Sequence, residues 1–551
     1  MADGETQQCG GDMNKTTWKA LKIDEIYQLV KPFSELGIKE KRDFKLFSSE
    51  TIEESISYYG HLSYLFKVIN NNPELINSLG STLSHFEDIH SLLEFTEDHV
   101  LDMHELYSIK HFIYFYRIVI NHLNKLNIEI VGNRDFTTLF DILDIDKQNS
   151  PAFYISNQYS ETFSKLKEEL FSLQSMSANI LGNISKKAVS ELGLNKFEEK
   201  VTVSKLNQEL LNKLIESGYF YITDENFANI TLRFKKTKDL LELDDKINNI
   251  NNLLDIETEN IRKMLSNEIF KEKDNLKKAI NDIAFLDLLL AKIIFARKYD
   301  CSIPVLAAPP VTAEGAGAGT LIKVKNSFNI ILKEEINRSE MLYQKIDLAI
   351  DKKINIFTGS NMGGKTTILT TVGQIAILTK LGMPVPAENV QTQLFDNVIF
   401  CGPLSKEDRA DLSSFGNEII TLQNVIETKG KNLFLLDEFG RGTNATEGQK
   451  LFHSTIKYFS ENTDTTVLSA THFIAPQKIK NLSHFQLIGL KDEFISILKS
   501  AHYDNLNDKL KLINKYMNYQ PIEVSEDTII PNSAILVAEL LGLEKSILKD
   551  I

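Results

Sequence analysis

The chain is short of cysteine, of basic excess and of uninterrupted apolar runs, and each shortage removes a class of protein. Its three cysteines, Cys9, Cys301 and Cys401, are too few for a disulfide framework and lack metal-ligand spacing. Neither a disulfide-stapled nor a zinc-built fold is supported, and a reducing cytoplasm is the expected location. No run of about 18 apolar residues occurs, which argues against a membrane helix. The polar, acidic opening Met1-Ala2-Asp3-Gly4-Glu5-Thr6 argues against a secretory signal and reads as a disordered tail. The formal charge is −14. Non-specific nucleic-acid affinity rests on neutralising phosphates, so any DNA contact requires a local basic surface.

Turn-forming residues are also scarce from about residue 20 to 300, where long helical periodicities prevail. Ile52, Ile56, Tyr59, Leu62, Leu65 and Phe66 recur at helical spacing. Ile109, Phe112, Ile113, Tyr116, Val119 and Ile120 do the same in an aromatic-rich stretch, and their apolar faces make them core residues before base-stacking ones. Leu243, Ile247, Ile250, Leu254, Ile261 and Leu265, continued through Leu290, predict a coiled-coil arm of about 50 residues, roughly 75 Å long. Ahead of it, Tyr219–Thr223 and Ile230–Phe234 read as strands. Arg233, Lys235, Lys236 and Lys238 are the candidates for DNA phosphate contacts, against the alternative of a solvated helix start. Pro309-Pro310 and the Gly-Ala alternation of residues 315–319 mark a linker.

The richest chemistry follows that linker. Ile354–Thr358 reads as a buried strand, Thr367–Leu378 as a helix, and between them Gly359-Ser360-Asn361-Met362-Gly363-Gly364-Lys365-Thr366 fills every fixed position of the phosphate loop G-x-x-x-x-G-K-[ST]. Backbone N–H groups there and in Thr367 would cradle the phosphates of ATP, with Lys365 reaching them and the Thr366 hydroxyl holding Mg²⁺. About 70 residues on, Leu433–Leu436 is an apolar run that ends in Asp437 and Glu438, as a buried parallel strand ends at the catalytic edge of its sheet. Asp437 is the second candidate for the Mg²⁺ shell, and Glu438 for orienting or deprotonating water. A further strand-like run, Thr466–Ala470, puts His472 at the same edge, where it can sense or polarise the γ-phosphate.

These segments resemble the MutS family. The resemblance rests on Thr358 to Thr367 with its Asn-Met-Gly-Gly centre, on Leu436-Asp437-Glu438-Phe439-Gly440-Arg441-Gly442-Thr443, on Thr471-His472-Phe473 and on Ser413-Ser414-Phe415-Gly416-Asn417-Glu418. It implies an α/β phosphate-loop (ABC-type) ATPase domain preceded by a mostly α-helical lever/clamp-like region. It also implies a homodimer in which Ser413 and Ser414 serve the nucleotide held by the other chain; on their own, without the flanking motifs, the two serines read first as helix caps. Ser360 stands where the family usually has Pro, and the Gly-Arg that commonly precedes the serine stretch is missing. Neither departure removes a phosphate, metal or water ligand.

The domain organisation expected from all this is a tail over 1–20, a lever-like helical core over 21–160, and long helices with a small strand element over 161–300. A linker over 301–325 and the ATPase domain over 326–551 complete it. No room is expected for an N-terminal mismatch-reading module or a C-terminal small MutS-related nuclease domain. The expected function is a Mg²⁺-dependent ATPase, without a membrane anchor, coupling ATP to clamp movement on DNA in repair or recombination. A clamp on branched DNA and a nucleotide-gated protein scaffold are the alternatives.

Overall fold

A computed structural model describes residues 12–96, 98–307, 321–339, 341–359, 364–402, 414–462, 464–477, 479–490, 511, 513–524, 538, 543 and 547. The chain divides into two compact units. The first holds residues 1–86, 122–132 and 281–551, and the second holds 87–121 and 133–280. This division differs from the expected boundaries, because the N-terminal helices group with residues 281–551 instead of with residues up to 160.

Those helices are α1 (Asp12–Ala20), α2 (Ile23–Gln28), α3 (Glu35–Asp43), α4 (Ile52–Asn71) and α5 (Glu74–Leu83). The physical reason for their placement is one apolar cluster, which joins Leu21, Ile23, Ile26 and Val30 to Ile368, Leu369, Val372 and Leu378 far along the chain. The tail expectation fails for residues 12–20 on the same ground. Thr17 is buried, and its Oγ1 accepts the Phe400 N–H at 3.1 Å. The α4 stripe is buried at Tyr59, Leu62 and Leu65, while Ile56 faces solvent. The turn before α3 is anchored by Asp287, whose carboxylate accepts from Phe33 N, Ser34 N and Ser34 Oγ at 2.6–3.1 Å. Helix α6 (Met103–Lys125) follows, and Ile109, Phe112, Ile113, Tyr116 and Val119 are its buried face.

In the second unit, α7 (Thr137–Leu143) precedes two long helices separated by a small sheet. Helix α8 (Glu161–Leu192) is capped by Ser160, whose hydroxyl accepts from Phe163 N and donates to Glu257 at 2.5 Å. The sheet contains β1 (Lys200–Ser204), β2 (Phe220–Glu225) and β3 (Asn229–Phe234) in the antiparallel order β1-β3-β2, with α9 (Gln208–Glu216) packed on it. Strand β1 was not foreseen. The predicted arm is two helices, α10 (Lys238–Lys271) and α11 (Lys273–Tyr299), because Glu272 leaves helical geometry at φ −97°, ψ 8°.

In the first unit, the expected linker over 301–325 is largely structure where it is described. The short strand β4 (Val305–Leu306) and β5 (Ile322–Ser327) join β6 (Ile346–Ile350) and β8 (Asn389–Thr392) in a sheet of order β4-β8-β5-β6, while residues 308–320 lie outside the described residues. Helix α12 (Ile330–Arg338) connects β5 to β6. The larger sheet is built from β7 (Ile354–Thr358), β9 (Asn397–Cys401), β10 (Asn432–Asp437), β11 (Thr465–Ala470), β12 (Leu482–Leu490) and β13 (Met517–Glu523). Its order is β13-β12-β7-β11-β10-β9, all parallel except β13. Helix α13 (Lys365–Lys380) covers one face, and α14 (Ser414–Glu427) and α15 (Ala445–Asn462) cover the other. The central strands are buried, all of β10 and β11 and β7 up to the half-buried Thr358, as the apolar runs predicted.

At the end of α13, Lys380 donates to Phe395 O at 2.9 Å and to Asp396 O. Burial pushes its pKa down to about 8, against the opposing pull of Asp396. The folded chain therefore holds fewer protons than the unfolded chain between that value and the ordinary lysine value, so stability rises as pH rises through this window. The rise is on the order of 3 kcal/mol if Lys380 acts alone. Lys380→Met is expected to flatten this part of the pH profile of the urea midpoint, and parallel profiles for parent and variant would assign the effect elsewhere.

Candidate nucleotide-binding site

Strands β7, β10 and β11 are neighbours in one parallel sheet, so their C-terminal ends deliver Gly359, Asp437 and Thr471 to one edge. Gly359 sits at φ +138°, and a Cβ there would lie 3.3 Å from Leu487 Cβ. Only glycine fits that conformation without strain. Ser360, Asn361, Met362 and Gly363 lie outside the described residues. Gly364, at φ +83°, is the N-cap of α13, which therefore starts at Lys365, two residues earlier than its apolar pattern. Thr367 lies in the first turn, its carbonyl accepting from Thr370 and Thr371 hydroxyls.

The Lys365 side chain folds back over the loop, its Nζ donating to Gly359 O at 2.7 Å. Burial lowers its pKa, with Glu438 and Asp437 pulling the other way. Thr366 donates its hydroxyl to both oxygens of Asp437, at 2.9 and 3.1 Å. Burial raises the Asp437 pKa, and the Thr366 hydrogen bond opposes it. A hydroxyl and a carboxylate at this separation form a hard-oxygen donor set that fits Mg²⁺, an ion that uses one or two carboxylates together with substrate phosphates.

Glu438 breaks the strand direction at φ +54°, held there as its N–H donates to Ala470 O at 2.9 Å. A left-handed non-glycine residue is costly and is maintained by its surroundings. Its Oε1 pairs with His472 Nε2 at 2.8 Å, and its Oε2 accepts from the Arg441 guanidinium. Burial raises the Glu438 pKa, but these two hydrogen bonds outweigh it and hold the carboxyl below the usual range. Glu438, Gly440, Arg441, Thr443, Ala445, Thr471, His472 and Phe473 line a cleft of about 140 Å³.

Sequence reasoning assigned no role to Arg441, Glu418 or Tyr519. Arg441 lies in the motif quoted for the resemblance, but its grip on Glu438 depends on the turn folding back. Glu418 on α14 accepts the Gly440 N–H at 2.9 Å and so fixes that turn. The Tyr519 ring lies 3.1 Å from the position a Cβ would take on Gly364, forming a wall beside the loop. Thr358, the residue before the loop, bonds His484 Nε2 at 2.7 Å and Gln486 Oε1 at 2.6 Å, and no sequence motif announces either partner.

Of the remaining candidates, Ser413 lies outside the described residues and Ser414 opens α14. Arg233, Lys235, Lys236 and Lys238 are exposed in the second unit. Lys236 is paired with Asp244, and Lys238 with Glu242 at 3.7 Å. Those acidic partners on α10 weaken the basic cluster as an unopposed phosphate surface. Among the described residues no helix is long and apolar enough to cross a membrane.

Comparison with known proteins finds similarity over the same region. Residues 355–548 match the family model of MutS domain V, the span that carries the phosphate loop, Asp437, Glu438 and His472. The DNA mismatch repair protein MutS of Carboxydothermus hydrogenoformans is 30% identical over 213 residues, covering 38% of this chain and 24% of that protein. MutS of Clostridium novyi is 26% identical over 467 residues, 79% of this chain and 48% of that protein. The DNA mismatch repair protein MSH3 of Saccharomyces cerevisiae is 27% identical over 371 residues, 61% and 36% of the two chains. The chain thus spans a quarter to a half of the length of these relatives. The domain V match at its nucleotide edge and this similarity reaching over most of its length together support a MutS-family protein.

Proposed function

We propose that the chain is a Mg²⁺-dependent ATP hydrolase of the α/β phosphate-loop, ABC type that binds DNA as a homodimer. The observation that carries the catalytic part is the pairing of Thr366 with Asp437 beside the pairing of Glu438 with His472, on the adjacent strand ends of one sheet. When the nucleotide arrives, Lys365 exchanges the Gly359 carbonyl for phosphate oxygens, and the α13 N-terminus adds its partial positive charge. Thr366 and Asp437 would hold Mg²⁺, which when bound would supply neutralisation of phosphate charge. Glu438 takes the proton of the water that attacks the γ-phosphorus as the bond to the bridging oxygen breaks, releasing ADP and phosphate. His472 and Arg441 keep the Glu438 carboxylate ionised and aimed.

The DNA part rests on the relatives, which are DNA mismatch repair proteins by name, and on the Arg233, Lys235, Lys236 and Lys238 group as the surface to test. Ser413 and Ser414 would complete the site of the other chain in the homodimer, in the cytoplasm. One panel tests the whole reading: phosphate release with and without Mg²⁺, and gel shifts on homoduplex, mismatched and four-way-junction DNA across a salt series. Hydrolysis that needs Mg²⁺ and DNA affinity that falls with salt are expected, with the slope counting phosphate contacts. A preference for the junction favours the branched-DNA clamp, and hydrolysis without DNA binding favours the protein scaffold. Absence of hydrolysis removes the enzyme reading.

A further inference from the structure

Helix α13 has two ends, and only its first belongs to the nucleotide site. Its last carbonyls, which a helix leaves without internal partners, are taken up largely by residues from distant parts of the chain. Tyr59 on α4 donates its hydroxyl to Thr379 O at 2.8 Å and Met383 O at 3.2 Å, and Phe47 N donates to Lys380 O at 2.8 Å. The last partner is Lys292 on α11, whose Nζ donates to Leu381 O at 2.8 Å and to Tyr58 Oη at 2.7 Å. Lys292 is fully buried, and its ammonium stands 4.0 Å from the Phe44 ring centroid and 4.8 Å from that of Tyr58. A cation enclosed by aromatic faces at the negative end of a helix is favourably placed. Burial nonetheless drives its pKa well below the ordinary lysine value, with Glu40 opposing.

A buried charge is a costly way to fill a core, since an apolar side chain of similar volume is often as stabilising. What the charge adds here is direction: it fastens one point of α11 to the end of the helix whose other end holds Lys365 and Thr366. Helix α11 is also the helix whose first turns, Lys273–Ile280, belong to the second unit.

We infer that Lys292 is a positioning residue that couples the phosphate-loop helix to α11, so that nucleotide binding at the start of α13 is felt in the arm. The inference rests on the ATP-binding reading above, and the test separates the two. The full-length chain and its Lys292→Met and Tyr59→Phe variants are titrated with the β,γ-imido analogue of ATP and Mg²⁺. Amide hydrogen exchange of residues 273–299 is followed with and without the analogue.

In the parent, the analogue is expected to bind and to change exchange along α11. Lys292→Met, which keeps an unbranched side chain one atom shorter but removes its charge and donors, is expected to bind the analogue within about threefold of the parent while its α11 response shrinks by about fivefold or more. Tyr59→Phe should shift the response in the same direction. If Lys292→Met does not fold, Tyr59→Phe, whose ring keeps its packing, decides alone. A full α11 response in the folded variants overturns the coupling. So does an analogue affinity that falls in step with the response, since that marks a general loss of structure. A parent that binds the analogue without any α11 response overturns the coupling alone. A parent that binds no analogue overturns the nucleotide reading and takes this inference with it.

Discussion

Glu438→Gln is expected to leave ATP bound and unhydrolysed, whereas Lys365→Ala is expected to remove binding itself. The two side chains stand on opposite sides of the same chemistry. Lys365 Nζ lies on the loop, 2.7 Å from Gly359 O, and would exchange that carbonyl for phosphate oxygens. Losing charge-assisted hydrogen bonds of this kind costs about 3 kcal/mol, on the order of a hundredfold in Kd. Glu438 is held by His472 and Arg441. Its amide analogue keeps the shape and can still accept from Arg441, but takes no proton from water, which lowers turnover by roughly a hundredfold to ten-thousandfold. Fluorescent-nucleotide titration and phosphate release measured on the same samples separate the effects. A Glu438→Gln chain that hydrolyses at the parental rate would remove Glu438 from the mechanism, and a Lys365→Ala chain with parental affinity would remove the lysine.

The largest stability loss is expected at Gly382, the residue that turns the chain out of α13. It sits at φ +63°, and a Cβ there would lie 2.8 Å from the Tyr58 ring, 2.9 Å from Phe44 and 3.2 Å from Phe47. Gly382→Ala therefore combines a left-handed conformation, about 1–2 kcal/mol for a residue with a side chain, with an overpacking cost of about 1–3 kcal/mol. The three rings already contact one another edge to face, with centroids 5.4–5.5 Å apart, so none has free space to move into. Urea denaturation of parent and variant checks this. A difference below about 0.5 kcal/mol, the range of ordinary surface substitutions, would show that the cage yields.

What could be read from the sequence were the features whose geometry is local. A strand, a tight loop and a helix in immediate succession place Gly359, Lys365 and Thr366 by chain connectivity alone, and an apolar run ending in Asp437-Glu438 places two carboxylates at a sheet edge. The expected helix at Ile109–Ile120 and the strands at Ile354 and Leu433 were legible for the same reason. The rest depends on residues that meet across hundreds of positions. Neither Thr17 nor Leu21 carries any mark that they pack against the sheet and α13, and the polarity of residues 12–20 resembles a tail as long as no partner is in view. Strand β1 escaped because Lys200–Ser204 is mostly exposed and short. The break at Glu272 escaped because helical spacing continues on both sides of it, so periodicity runs across a residue that is not helical.

The cover that α1 lays over β9 redraws where this protein can be divided. Strand β9 is the edge of the larger sheet, and an edge strand with open N–H and C=O groups is a template for another chain to pair with. Here Thr17 occupies the Phe400 N–H, and the next turn drives Leu21 into the gap left by Gly373, where a Cβ would come within 2.8 Å of it. Gln374 fastens the same turn through Leu21 O at 3.0 Å. A fragment that starts at the apparent linker keeps the phosphate loop, Asp437, Glu438 and His472, and would be the natural choice for isolating the candidate nucleotide site. It would also carry an uncapped sheet edge beside a stripped apolar helix, a combination that invites aggregation. The residues of the candidate site lie in the second half of the chain, but the cover over its sheet edge comes from residues 12–21.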